Sequence, residues 1–180
     1  LGLTFTHKAA GELATRTRTY LDALHLSEDT GDPAISTFHA FAVDLIAEFG
    51  LLAGAEPSAT LLSPTDLAQA TFRSVVGSRV PCEDFGTGHI DTVRQRVQSL
   101  DEQLSEHLCA PEDLRKFDRR LIEDLATQSG ADAQKTVLAS RRRILASQVV
   151  EEVRADRAAS AQVGFADLMR LAALISRMPL

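Results

Sequence analysis

Leu3-Thr4-Phe5-Thr6-His7-Lys8-Ala9-Ala10-Gly11-Glu12-Leu13, close to the start of a 180-residue sequence, holds a change of period that decides how the rest is read. Residues 1–5 have the character of a buried strand, and residues 7–24 place Ala9, Ala10, Leu13, Tyr20, Leu21 and Leu24 at helical intervals. A strand that begins at residue 1 without a preceding turn is expected to belong to a larger domain. Residues 27–33 read as a polar turn. Ala34-Ile35-Ser36 then repeats the strand character, and Phe38, Phe41, Ala42, Leu45, Ile46 and Phe49 repeat the helical spacing as far as Gly50, a helix stop. Residues 1–60 therefore read as short α/β pieces.

From Pro64 the pattern becomes all α, with helical stretches expected at 64–77, 90–109, 111–128 and 131–157, broken by residues 77–88, by Pro111 and by Gly130. A last helix is expected over residues 165–178, with Phe165, Leu168, Met169, Leu171, Ala172 and Ile175 on one apolar face. The fold class is mainly α. No internal repeat or low-complexity segment interrupts it.

Hydrophobic residues make up 44% of the chain and charged residues 24%, which suits one or two packed cores. A formal net charge of −6 argues against a free-standing nucleic-acid binder with a broadly basic surface, and leaves room only for a local track. No apolar run is long enough for a membrane span, and the first residues lack a signal peptide's basic and apolar regions. A soluble, cytoplasmic protein without membrane partners is expected. The only two cysteines, Cys82 and Cys109, make a disulfide framework an unsuitable explanation of the fold.

The opening segment resembles motif Ia of the UvrD/Rep/PcrA superfamily 1 DNA helicases. Ile35-Ser36-Thr37-Phe38-His39-Ala40-Phe41 resembles motif Ib of the same family, in the family's order and at its spacing. Two further stretches are similar to family segments: Leu61-Leu62-Ser63-Pro64-Thr65-Asp66, and Val163-Gly164-Phe165-Ala166-Asp167-Leu168-Met169. The helical block between them resembles actinobacterial UvrD-like and AdnAB-like proteins. The chain departs from the family's pattern at His7, where asparagine is usual, at Ala40, where serine is common, and at Gly164 and Ala166, where acidic residues are frequent. The last two put a polar role of the return segment in doubt.

The resemblance implies a helical 1B-like subdomain, residues 61–162, flanked by α/β remnants of a RecA-like P-loop NTPase domain. Residues 1–60 would be part of motor domain 1A, and residues 163–180 the return to it. The parent would be an ATP-dependent, 3′-to-5′ DNA helicase or translocase of repair or recombination, using ATP and Mg2+. Its partners would be single-stranded DNA and a duplex junction, and a second helicase or nuclease subunit. This fragment would have no cofactor and no hydrolytic activity of its own. ATP hydrolysis needs a phosphate loop ending in Gly-Lys-Ser/Thr and an acidic pair after an apolar strand. No glycine here precedes a lysine, and Asp101-Glu102 follows a polar run. In the family those elements lie before Leu1 and after Leu180.

A DNA motor holds a strand by phosphates and bases. Thr4, Thr6 and Thr37 offer hydroxyls near strand ends and helix starts, and Phe5 offers a stacking face indifferent to base identity. In isolation the same residues read first as core aromatics, β-formers and helix caps; the paired motifs reverse that order and favour a strand surface made of Thr4, Phe5, Thr6, His7, Lys8, Thr37, Phe38 and His39. Phe38 is the first of these to be assigned to the core, Lys8 reads also as a solvated helix residue, and His39 also as a hydrogen-bonded histidine that positions the loop. Arg115, Lys116, Arg119 and Arg120, at i,i+4 spacing, read as a duplex contact or as an ion-paired solvent face, and Arg141-Arg142-Arg143 must splay around their helix. Pro81-Cys82-Glu83-Asp84 carries half of a zinc-deaminase pattern and His107-Leu108-Cys109 half of a metal site, each without its second half. No catalytic or metal residue is assigned. The rival reading is a helical protein-interaction module with no direct DNA role, which the acidic balance favours and the paired motifs oppose.

Overall fold

The computed structural model describes residues 1–25, 31–56, 58–128 and 130–178. The described residues are mainly helical, and their elements run β1 (Gly2–Thr4), α1 (His7–Ala23), β2 (Ile35–Thr37), α2 (Phe38–Phe49), a 3-10 turn (Gly50–Ala53), β3 (Thr60–Leu61), α3 (Pro64–Gly77), a second 3-10 turn (Cys82–Phe85), α4 (Ile90–Glu106), α5 (Pro111–Leu125), α6 (Ala131–Ala159), β4 (Gln162–Val163) and α7 (Phe165–Ile175). The expected polar turn at 27–33 falls largely on residues outside the described ones. Two compact units emerge, Leu1–Pro57 with Leu171–Leu180, and Ser58–Arg170.

In the first unit β1 and β2 pair in parallel, with Gly2 opposite Ile35, Leu3 opposite Ser36 and Thr4 opposite Thr37. Parallel neighbours require a crossover, and α1 supplies it. A side chain at Gly2 would crowd Ile35 and Leu13, so the strand closes tightly on its partner and on α1. The strand is half-buried rather than buried as expected, because β2 is its only partner among the described residues. Thr6 and Thr37 cap α1 and α2: their hydroxyls accept from Ala9 N–H at 3.1 Å and Ala40 N–H at 3.2 Å, which satisfies one orphan amide of each first turn. Gly50 does not stop the chain's helical course. The 3-10 turn begins at Gly50 itself, and the reversal comes at Gly54, whose φ of 70° favours glycine.

The second unit has the larger core. Val75 of α3, Phe85, Val93, Val97 and Leu104 of α4, and Ala146, Val149, Val150 and Val153 of α6 are all buried together. Each large member contributes about 1.5–3 kcal/mol by leaving water. Pro64 and Pro111 occupy first-turn positions of α3 and α5, where a missing N–H costs nothing. Ser63 and Asp66 cap α3 reciprocally, Ser63 Oγ accepting from Asp66 N–H at 3.2 Å and donating to its carboxylate at 2.6 Å. α5 and α6 pack as an antiparallel hairpin, Arg115 meeting Glu151 and Asp118 meeting Arg143. The parallel pair β3–β4, Thr60 with Gln162 and Leu61 with Val163, joins the two ends of this unit. Two-residue strands have no period to read, so the sequence pattern does not announce them. The expected helices over 90–109, 111–128 and 165–178 each end a few residues early, and α6 runs slightly longer than expected.

Candidate nucleic-acid interface

Strand β1 ends at Thr4 and α1 begins at His7, so Phe5 and Thr6 have to turn the chain between them. Thr6 faces its own helix as a cap, and Phe5 is left outside, 88% exposed. Its ring lies 5.0 Å from that of Phe38 with the planes 39° apart, within the range of favourable aromatic pairs. Phe38 is half-buried and is the first residue of α2, directly after the Thr37 cap. The pairing of β1 with β2 therefore brings two strand–helix junctions side by side: Thr4 is opposite Thr37, and one step further each chain presents its phenylalanine. Burying such a ring would be favourable by about 1.5–3 kcal/mol, so its outward position leaves a ready apolar face.

Around this pair lie the residues singled out in the sequence. Thr6, His7, Lys8 and His39 are exposed. The three threonine hydroxyls are less available than their residue type suggests. Thr4 Oγ1 donates to Thr6 O at 3.1 Å, and Thr37 is 4% exposed with its hydroxyl engaged as the α2 cap. Thr4 and Thr37 hold the junctions from behind. The outward surface consists of Phe5, Thr6, His7, Lys8 and His39, with the first amides of two helices, which have no intrahelical partner and carry the positive end of the helix dipole.

The arginine-rich face of α5 does not survive intact. Arg115 is buried, and its guanidinium donates to Glu112 at 2.6 Å and to Glu151 at 2.8 Å; Glu151 above all holds it charged, raising it above the ordinary arginine range, and Glu112 adds to this against the opposing effect of burial. Of the two readings of this face, burial and these ion pairs favour the ion-paired one at Arg115. Lys116 lies 3.6 Å from Asp113. Arg119 and Arg120 are exposed. The run Arg141-Arg142-Arg143 splays as expected: Arg141 is exposed, Arg142 covers Gly86 so closely that a side chain there would strike its guanidinium, and Arg143 Nε donates to the fully buried Asp118 at 2.7 Å.

Asp101, Asp118 and Asp167 receive no pairing role from the sequence, and each is a buried acid within the second unit. A signal existed. Asp101 falls in register with the buried Val97 and Leu104 of α4, and a charge on an apolar stripe must find a partner. Asp167 accepts from Gly164 N–H at 3.1 Å and pairs with Arg157 at 3.0 Å, so the return segment has a polar role despite Gly164 and Ala166. Cys82 and Cys109 are free thiols, both half-buried. Among the described residues no cluster of His, Cys, Asp and Glu could hold a metal ion, and no helix is long and apolar enough to cross a membrane.

No curated protein matches the chain. The family model described as the UvrD/REP helicase N-terminal domain matches residues 1–178, which include both strand–helix junctions and the helical unit between Ser58 and Arg170. The chain belongs to the UvrD/REP helicase family.

Proposed function

We propose that this chain is a DNA-gripping part of an ATP-dependent helicase or translocase of DNA repair or recombination, and that Phe5, Thr6, His7, Lys8 and His39 bear on one strand of the DNA. The carrying observation is the Phe5 ring, exposed and braced by Phe38 between two helix N-termini. A base stacks on the ring's free face, and the neighbouring phosphates meet Lys8 and the first amides of α1 and α2. Stacking is indifferent to sequence, which suits a motor that steps along any strand. In family terms Leu1–Pro57 and Leu171–Leu180 are assigned to motor domain 1A, and Ser58–Arg170 to subdomain 1B, where Arg119 and Arg120 remain candidates for the duplex junction.

Nucleotide hydrolysis is assigned elsewhere in the protein. No glycine here precedes a lysine, so the residues in hand do not fit an ATP phosphate or magnesium site, and no hydrolytic step is derived for them.

Phe5→Ala tests the grip. Because the ring is exposed, its removal should leave the fold intact and weaken single-strand binding by ~1–3 kcal/mol, about equally for every base composition. Fluorescence anisotropy with labelled oligonucleotides measures it. An unchanged affinity in a folded variant would remove Phe5 from the strand surface.

A further inference from the structure

Within the second unit, side chains from α4, α6 and α7 form one contiguous charged cluster. Asp101 accepts from Arg154 Nε and from Arg157 Nη2, each at 2.6 Å, and Arg157 reaches on to Asp167 at 3.0 Å. Arg154 also donates to Ser105 Oγ at 2.9 Å. Arg170 follows Asp167 by three residues on α7, which sets the two on neighbouring helical positions. Burial, and after it the charge of Arg154, depress the Arg170 guanidinium below the ordinary arginine range; Asp167 and Asp101 act the other way, and Arg157 adds to the lowering. Three guanidinium groups thus share two carboxylates.

Both carboxylates are already committed. Arg157 is 4% exposed, yet its Nε has no hydrogen-bond partner, and the buried Nε of Arg170 has none either. A buried charge without a counter-charge is among the costliest features a fold can hold. Guanidinium does not escape the cost by losing its proton near neutral pH. The half-buried Arg170 therefore stands ready for a negative group from outside the cluster.

We propose that Arg170, backed by Arg154 and Arg157, is an oxyanion subsite that takes a phosphate group, either as the free ion or within a nucleic-acid backbone. The planar fork of guanidinium suits phosphate, and a tetrahedral acceptor can serve donors arriving from two helices. The subsite is independent of the Phe5 surface and stands or falls separately from it.

Thermal unfolding of the intact chain tests the subsite, in chloride alone, with millimolar inorganic phosphate at constant ionic strength, and with a single-stranded oligonucleotide. Arg170→Met and Arg170→Lys are measured alongside. Phosphate stabilises most proteins through exclusion from their surfaces, so the readout is the difference between variants. Wild type should gain melting temperature with phosphate, Arg170→Lys should keep part of that gain, and Arg170→Met should keep less than half. In chloride alone Arg170→Met should melt no lower than wild type, because it deletes an uncompensated charge and keeps the packing of the stem. An oligonucleotide that replaces the phosphate gain identifies backbone phosphate as the source; one that leaves it untouched identifies the free ion, and either result supports the subsite. Equal gains in wild type and Arg170→Met mean an adventitious ion only. A lower melting point of Arg170→Met in chloride means that Arg170 is already paired, for instance with a protein carboxylate. Either of the last two overturns the proposal.

Discussion

Thr37 and Phe5 show how far a residue's type can mislead about its task. Both belong to the same paired motifs, but Thr37 is buried with its hydroxyl closing the first turn of α2, whereas Phe5, the apolar one, faces water. Thr37→Val should therefore act through stability. It removes a cap worth about 1 kcal/mol and should leave single-strand affinity unchanged when compared at equal folded fraction. Chemical denaturation and an anisotropy titration on one preparation separate the two effects; a loss of affinity in fully folded protein would return Thr37 to the strand surface. Arg115 gives the converse case. Its i,i+4 relation to Arg119 and its i,i+3 pairing with Glu112 are local, but its pairing with Glu151 depends on α6 lying alongside, which no local pattern encodes.

At the level of elements, helix positions were the most legible part of the fold. Capping residues, first-turn prolines and apolar spacing all act within a few residues, so α1, α2 and α3 start where Thr6, Thr37 and Ser63 say they do. Helix ends were less legible. Among the described residues, four chain reversals use a left-handed residue that is not glycine: His25 after α1, Arg79 after α3, Leu108 after α4 and Ala161 after α6. A reversal at a non-glycine residue gives no local signal, so α4 stops at Glu106, short of the expected 109. These residues also hold strain of about 1–2 kcal/mol each. Arg79 is exposed, so Arg79→Gly should relieve that strain at little cost in contacts and, after the greater flexibility of unfolded glycine is subtracted, stabilise the chain by about 0.5–1 kcal/mol. A urea titration checks it, and a destabilised variant would show that the Arg79 side chain holds the turn. The register of Asp101 announced that it needs a partner, but which arginines answer it was illegible for the same reason as the Arg115–Glu151 pair: Arg154 and Arg157 come from a helix far away in sequence.

For the whole molecule, a net charge of −6 and a proposed strand surface with Lys8 as its one permanent side-chain cation predict weak dependence of DNA binding on salt. Each neutralised phosphate of a single strand contributes about −0.7 to the slope of log affinity against log salt, so this chain should give a slope of about −1. Affinities measured across a salt series test it, and a slope of about −4 or steeper would place several further phosphate contacts elsewhere on the surface. The surface also inherits a strict dependence on chain length. No residue intervenes between the end of β2 at Thr37 and the start of α2 at Phe38, so the strand's register fixes the rotational phase of the helix. Adding or removing one residue at that seam would turn everything after it by about 100° and swing Phe38 out from behind Phe5. Substitutions can tune this surface one contact at a time; insertions and deletions would dismantle it in a single step.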